Sequence, residues 1–155
     1  MTYDVVLRVN DTDSRVRLAA ADTLLLAIRE QVGLTGTKQG CDDSECGACM
    51  MLLDGRPVNS CSYLAMQAEG CEVTTVEGLS AGEVLAPVQQ AILDYGGVQC
   101  GFCTPGMLVS ATALLAANPS PTRDEIRIAL SGNLCRCTGY QAIVDAVESV
   151  AAQSQ

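Results

Sequence analysis

Eight of the nine cysteines in this 155-residue chain fall into two groups of four. Cys41, Cys46, Cys49 and Cys61 follow C-x4-C-x2-C with a fourth cysteine further on, a spacing suited to a 2Fe–2S site. Two irons bridged by two sulfides need four thiolates at tetrahedral corners. A tight loop can supply three of them, and the fourth must come from elsewhere, here just past Asp54-Gly55. Gly40, Gly47 and the small Ala48 leave the loop free to turn its N–H groups toward the sulfurs, which stabilises an anionic cluster. Zinc sites usually use C-x2-C pairs instead. The second group, Cys100, Cys103, Cys135 and Cys137, pairs C-x2-C with C-x-C, and by spacing alone it suits zinc as well as iron. Its cysteines precede two helix starts, where an N-terminus favours the thiolate. Cys71 is left over and reads as a small buried hydrophobe.

The elements that must position these thiols can be read from periodicity. Val5, Leu7 and Val9 alternate, as do Val16 and Leu18 after the turn residues 10–13, which predicts a β-hairpin. Asp22 is expected to cap a helix over Thr23–Val32, closed by Gly33. Met50–Leu53 reads as a strand, Asp54-Gly55 as a hairpin turn and Val58 as the start of the return strand. A short helix is expected near Ser62–Gln67 and a last strand over Val73–Val76. From Ser80 onward the pattern is helical. Helices are expected over Val84–Leu93, from the Thr104-Pro105 start through Ala117, from the capping box Thr122/Glu125 through Leu130, and from Tyr140 to Ala152. The second of these is apolar nearly all round and should be buried. The expectation is a strand-dominated α+β unit over 1–76, then a helical unit over 77–155.

Composition removes whole classes of activity. The chain has no His, so a Ser-His-Asp triad, a Cys-His nucleophile pair, a Cys2His2 finger and a Rieske centre are all excluded. Its net charge of −9 offers no basic face for phosphate, so no nucleic-acid partner is expected. The acidity suits solubility or an acidic docking face. The first residues lack a basic and apolar leader, and no apolar run approaches the roughly 20 residues of a membrane span. A cytoplasmic protein with reduced thiols is the expectation, and its cysteine density then argues for metal over disulfides.

Three segments carry a resemblance. Gly40-Cys41-Asp42 with Glu45-Cys46-Gly47-Ala48-Cys49, Gln99-Cys100-Gly101-Phe102-Cys103-Thr104-Pro105-Gly106, and Gly132-Asn133-Leu134-Cys135-Arg136-Cys137-Thr138-Gly139-Tyr140 resemble the iron–sulfur small subunit of the molybdenum hydroxylases, the xanthine dehydrogenase family. Asp43-Ser44 fills a place that is often Gly-rich in that family. The resemblance implies an N-terminal ferredoxin-like β-grasp domain followed by a C-terminal all-α four-helix domain. It implies two 2Fe–2S clusters. Cys100, Cys103, Cys135 and Cys137 would hold the one nearer molybdenum, and Cys41, Cys46, Cys49 and Cys61 the outer one, nearer FAD. It places Gln99 and Cys137 against the pterin of a molybdenum cofactor on a large partner subunit. It also implies an FAD-binding medium subunit and a hetero-oligomer, up to a dimer of heterotrimers. The implied role is electron transfer, one electron at a time, from the molybdopterin centre through the two clusters to FAD or another acceptor. The rival is a freestanding ferredoxin shuttle, which would need only the first quartet.

Overall fold

Alternating side chains build the sheet. In the computed structural model, which describes residues 1–153, strands β1 (Thr2–Val9) and β2 (Thr12–Ala19) bury Val5, Leu7, Val9, Val16 and Leu18 on one face. They pair antiparallel from Thr2↔Ala19 to Val9↔Thr12. The turn is tighter than the expected four residues: Asn10 and Asp11 alone make it, at φ 48° and 63°, the conformation that matches strand twist in a two-residue hairpin.

The helix that follows departs from its expected form in its cap and in its winding. Thr23, not Asp22, is the cap, and its Oγ1 accepts from Leu26 N at 3.2 Å. Asp22 instead accepts from Ala19 N at 2.8 Å. One α-helical turn, α1 (Leu24–Leu26), runs on as a π-helix over Ala27–Val32. A 3.6-residue apolar period does not distinguish the two windings over so short a segment. Gly33, at φ 83°, closes the segment as expected.

The second hairpin, β3 (Met50–Leu53) and β4 (Arg56–Asn59), turns at Asp54-Gly55. Strand β5 (Glu72–Thr74) lies parallel to β1 and antiparallel to β3, giving the order β2-β1-β5-β3-β4. β5 ends before Val76 because a 3-10 turn begins there, over Val76–Leu79. The short helix expected near Ser62–Gln67 is a 3-10 turn over Ala65–Ala68.

Helices α2 (Pro87–Asp94), α3 (Thr104–Ala117), α4 (Arg123–Ala129) and α5 (Gln141–Gln153) follow. α2 starts at Pro87, later than expected, because Val84 is held in a turn by reciprocal bonds with Ala81. The Thr122/Glu125 box is formed: Glu125 N donates to Thr122 Oγ1 at 3.3 Å, and Thr122 N donates to Glu125 Oε2 at 2.7 Å. Arg123 then ties α4 to α5 through Asp145 and Glu148. Among the described residues no helix is long and apolar enough to cross a membrane.

The expected C-terminal all-α four-helix domain needs correction, because no separate one follows the sheet. The buried half of α3, Gly106 to Ala111, packs against β3 and β4 as well as into the apolar cluster shared with α2, α4 and α5. Leu134 N, in the α4–α5 loop, donates to Cys46 O at 2.9 Å. Asn133 Nδ2 donates to Gly47 O at 3.0 Å. The helices after Ser80 keep an apolar cluster of their own, but α3, Asn133 and Leu134 tie it to the sheet and the first cysteine loop. The architecture is a five-stranded sheet with helices bonded to it.

This seam depends on missing side chains. A Cβ on Gly106 would stand 2.2 Å from Gly47 O, and one on Gly47 would stand 2.2 Å from Gly132 O. Gly106→Ala keeps helical backbone but forces the seam apart, so it is expected to destabilise the protein by about 1–3 kcal/mol. Thermal unfolding checks this; an unchanged midpoint would mean that the loop and α3 are not in this contact.

Candidate metal centres

The first three thiols sit on the loop between the π-helix and β3. Arg29 fastens its entry, donating Nη1 to Thr35 O at 2.9 Å and to Thr37 O at 2.7 Å. Its exit is fixed where Lys38 N donates to Ala48 O at 3.1 Å. Between these points Ser44 and Gly47 take positive φ, 66° and 67°. Ser44 thus occupies the left-handed conformation that a glycine adopts without strain. Its hydroxyl is anchored against Ser62 Oγ and lies 3.8 Å from Cys61 Sγ. Cys61 itself follows β4, where Ser60 Oγ donates to Cys49 O at 2.6 Å and Asn59 Nδ2 donates to Ser44 O at 3.1 Å.

Within this quartet the thiols fall into two pairs. Cys46 N donates to Cys41 Sγ at 3.4 Å, which with the backbone N–H of Asp43 holds the Cys41 thiol below its ordinary value against the opposing Asp43 carboxylate. Burial pushes its neighbour Cys46 up. Burial, with the adjacent Cys61, pushes Cys49 up to about 11.

The second quartet is assembled from the start of α3 and the loop between α4 and α5. Cys103 is the N-cap of α3, one residue ahead of the cap expected at Thr104, and its side chain makes no capping bond. Cys137 is not at a helix start: α5 opens at Gln141, and Thr138 to Tyr140 intervene. Again the thiols pair. Cys137 Sγ lies 3.5 Å from Cys100 Sγ, and Cys103 lies beside Cys135. Burial and this neighbour push Cys103 up to about 12. Cys135 goes the other way. Burial opposes its ionisation, but it is outweighed by hydrogen bonds acting together, from Thr138 N at 3.4 Å with Thr138 Oγ1 at 3.0 Å, from Cys137 N–H and from Cys103, and the thiol falls to about 7. Tyr140 completes the loop: its OH accepts from Cys135 N at 2.8 Å.

The structure sets Cys41 beside Cys46, Cys49 beside Cys61, Cys100 beside Cys137 and Cys103 beside Cys135, and leaves Cys71 apart, against the sheet's apolar side chains. Gln99 is exposed beside exposed Cys100 and Cys137. Among the described residues no three Cys, Asp or Glu side chains converge as a single metal ion requires. Two thiol pairs per quartet fit a group with two metal atoms better than one tetrahedral ion.

A family model for a 2Fe-2S iron-sulfur cluster binding domain matches residues 7–86, and one for a 2Fe-2S binding domain matches residues 75–148. The chain is 51% identical over 144 residues to the nicotine 6-hydroxylase small subunit of Paenarthrobacter nicotinovorans, covering 93% of this chain and 87% of that one. It is 48% identical over 148 residues to the xanthine dehydrogenase iron-sulfur-binding subunit of Escherichia coli O157:H7, covering 94% and 92%. The crystal structure of quinoline 2-oxidoreductase from Pseudomonas putida 86 contains a chain that superposes with a TM-score of 0.95 at 48% identity, covering 99% and 96%. The chain belongs to the iron–sulfur small-subunit family of the molybdenum hydroxylases, the xanthine dehydrogenase family. Its close relatives are subunits of oxidoreductases.

Within this family frame, sequence reading assigned no role to Thr138, Tyr140, Asn59 or Ser44, which dress the thiols. The signal for the first two was at hand, since both lie in the third motif segment. Asn59 carries no signal beyond its nearness to cysteines, whereas Ser44 stands in the place that is often Gly-rich, in keeping with its positive φ. The Thr138 contacts make a direct prediction. In metal-free protein, Thr138→Val should return Cys135 from about 7 toward the ordinary value of 9.0. The backbone donors remain in the variant, so the return is partial; just above pH 7 the parent holds more thiolate than the variant, and alkylation of Cys135 should slow there. The pH–rate profile, followed by peptide mass spectrometry, reads the shift.

Proposed function

We propose that Cys41, Cys46, Cys49 and Cys61 hold one 2Fe–2S cluster, and that Cys100, Cys103, Cys135 and Cys137 hold a second. The chain is the electron-transfer subunit of a molybdenum hydroxylase complex, and the substrate chemistry lies on a partner subunit. When bound, such clusters take up and release single electrons, so two in series divide the pair delivered at molybdenum. The observation that carries the reading is the bonded seam, where Leu134 N meets Cys46 O at 2.9 Å. A ligand of each proposed cluster, Cys46 and Cys135, thereby stands one residue or less from a shared hydrogen bond. A freestanding shuttle has no need of this second quartet.

The chain's own residues have three tasks here. The eight thiols must bind as thiolates. Backbone and hydroxyl donors, Thr138 above all, must offset negative charge on the sulfurs. The apolar side chains behind each quartet must keep water off the inner thiols, Cys49 and Cys103. On the outer edge of the second quartet, exposed Gln99 and Cys137 are the side chains placed to meet the pterin of a large molybdopterin-binding subunit. The first quartet then faces an FAD-binding medium subunit or another acceptor, in a hetero-oligomer.

Metal analysis of the complex purified from its native host tests this. About four irons and one molybdenum per copy of this chain are expected. Cys61→Ser and Cys103→Ser should each remove about two irons and leave the other cluster's spectrum in place. Zinc in place of iron, or loss of all iron from either single substitution, would rule out two independent 2Fe–2S sites.

A further inference from the structure

Asn133 stands out among the buried polar groups. It is only 2% exposed, and it lies in neither quartet. Both ends of its amide are satisfied, each by a different element. Ser110 Oγ, on α3, donates to Asn133 Oδ1 at 2.7 Å. Asn133 Nδ2 donates to Gly47 O at 3.0 Å, on the loop of the first quartet. Its own N donates to Leu130 O at 3.0 Å, at the end of α4. Two residues along the chain is Cys135, and on the far side of the amide Gly47 directly follows Cys46. One side chain thus ties the two cysteine loops and the helix that carries Cys103 to a common point. The packing leaves it no slack, since a Cβ on Gly47 would meet Asn133 Nδ2 at 2.6 Å.

We propose that Asn133 is a positioning residue that fixes the separation of the two cysteine quartets, and so the coupling between the centres they hold, by clamping Gly47 O through an amide that Ser110 orients. The inference rests on the two-cluster reading. A buried amide suits this task better than an apolar side chain. Its two bonds are directional, whereas apolar packing tolerates sliding. The backbone bond from Leu134 N to Cys46 O runs beside it and needs the loop held at this distance. Electron transfer and magnetic interaction between two centres both fall steeply with separation, so a small slip of the seam has a large effect on each.

The test uses the intact complex with Asn133→Asp and Ser110→Ala. Asn133→Asp keeps the size and the acceptor for Ser110, but it sets an oxygen against Gly47 O where a donor stood. Ser110→Ala keeps the bond to Gly47 and frees the other end of the amide. The readouts are iron per copy and the splitting of the electron paramagnetic resonance signals when both centres are reduced. About four irons per copy are expected in the variants as in the parent. The splitting should narrow or vanish in Asn133→Asp and narrow less in Ser110→Ala. A residue needed only for stability would lower the melting temperature without moving the splitting in molecules that keep all their iron. Full iron with unchanged splitting in both variants overturns the clamp, as does a parent whose centres show no splitting at all. If Asn133→Asp fails to assemble, Ser110→Ala decides alone: narrowing supports the clamp and constancy overturns it. Fewer than about four irons in the parent would instead bring down the two-cluster reading, and the clamp with it.

Discussion

The rest of the molecule depends on one close approach, that of the Gly47 carbonyl to Gly106 and Asn133. The oxygen is buried, so it must find donors or carry a desolvation cost of about 1–3 kcal/mol. Met50 N at 3.2 Å and Asn133 Nδ2 at 3.0 Å provide them. Reaching Asn133 requires α3 to pass within backbone distance, which only a glycine at 106 permits. From this follow the burial of the first half of α3, its packing on β3 and β4, and the approach of the α4–α5 loop to Cys46. The sheet and the helices have their own apolar interiors, around Leu7, Met51 and Val73 on one side and Met107, Ile126 and Val147 on the other. The seam sets how the two interiors stand relative to each other.

A second constraint is electrostatic. Four thiolates gathered in a small volume repel one another, and burial adds to the cost of each charge. Without metal, the inner thiols Cys49 and Cys103 are accordingly held as neutral thiols, at about 11 and about 12. The outer thiols Cys41 and Cys100 shift downward because backbone N–H groups of Cys46 and Phe102 point at them. Each quartet therefore contains thiols that ionise readily and others that must lose protons to a metal. Binding then releases protons, and its free energy adds to that of folding. This sits well with a chain that has no Trp and one Phe, whose small aliphatic interiors gain from such a contribution.

Sequence reading reached the parts that local rules govern. Alternation at Val5, Leu7 and Val9, the Thr122/Glu125 box and the C-x4-C-x2-C loop are all short-range patterns, and the structure forms each of them. It missed features decided by tertiary contact. Thr23 displaces Asp22 as a cap because Asp22 is drawn to Ala19 N. Ala27–Val32 winds as a π-helix under packing that no 3.6-residue period records. The separate four-helix domain was the larger error. Helical composition after Ser80 says nothing about what those helices touch, and the decisive residues, Gly47, Gly106 and Asn133, are small or polar. A hydrophobic pattern gives such residues no weight. They drew notice in the sequence only as neighbours of cysteines.

The two quartets also differ in what surrounds them, and the difference bears on direction. Cys49 and Cys61 are buried, and the loop before them carries the exposed acids Asp42, Asp43 and Glu45. Cys100 and Cys137 are exposed, while Phe102 and Leu134, about half open to solvent, stand toward the first quartet, the Phe102 ring near Gly40 and Leu134 N on Cys46 O. An acidic rim steers a partner by long-range attraction and weakens with salt. Exposed apolar area gains most when it is covered and water is removed. Covering the second quartet lowers the dielectric around its sulfurs, so the donors already aimed at them, from Thr138 and Phe102, act more strongly than in the free chain.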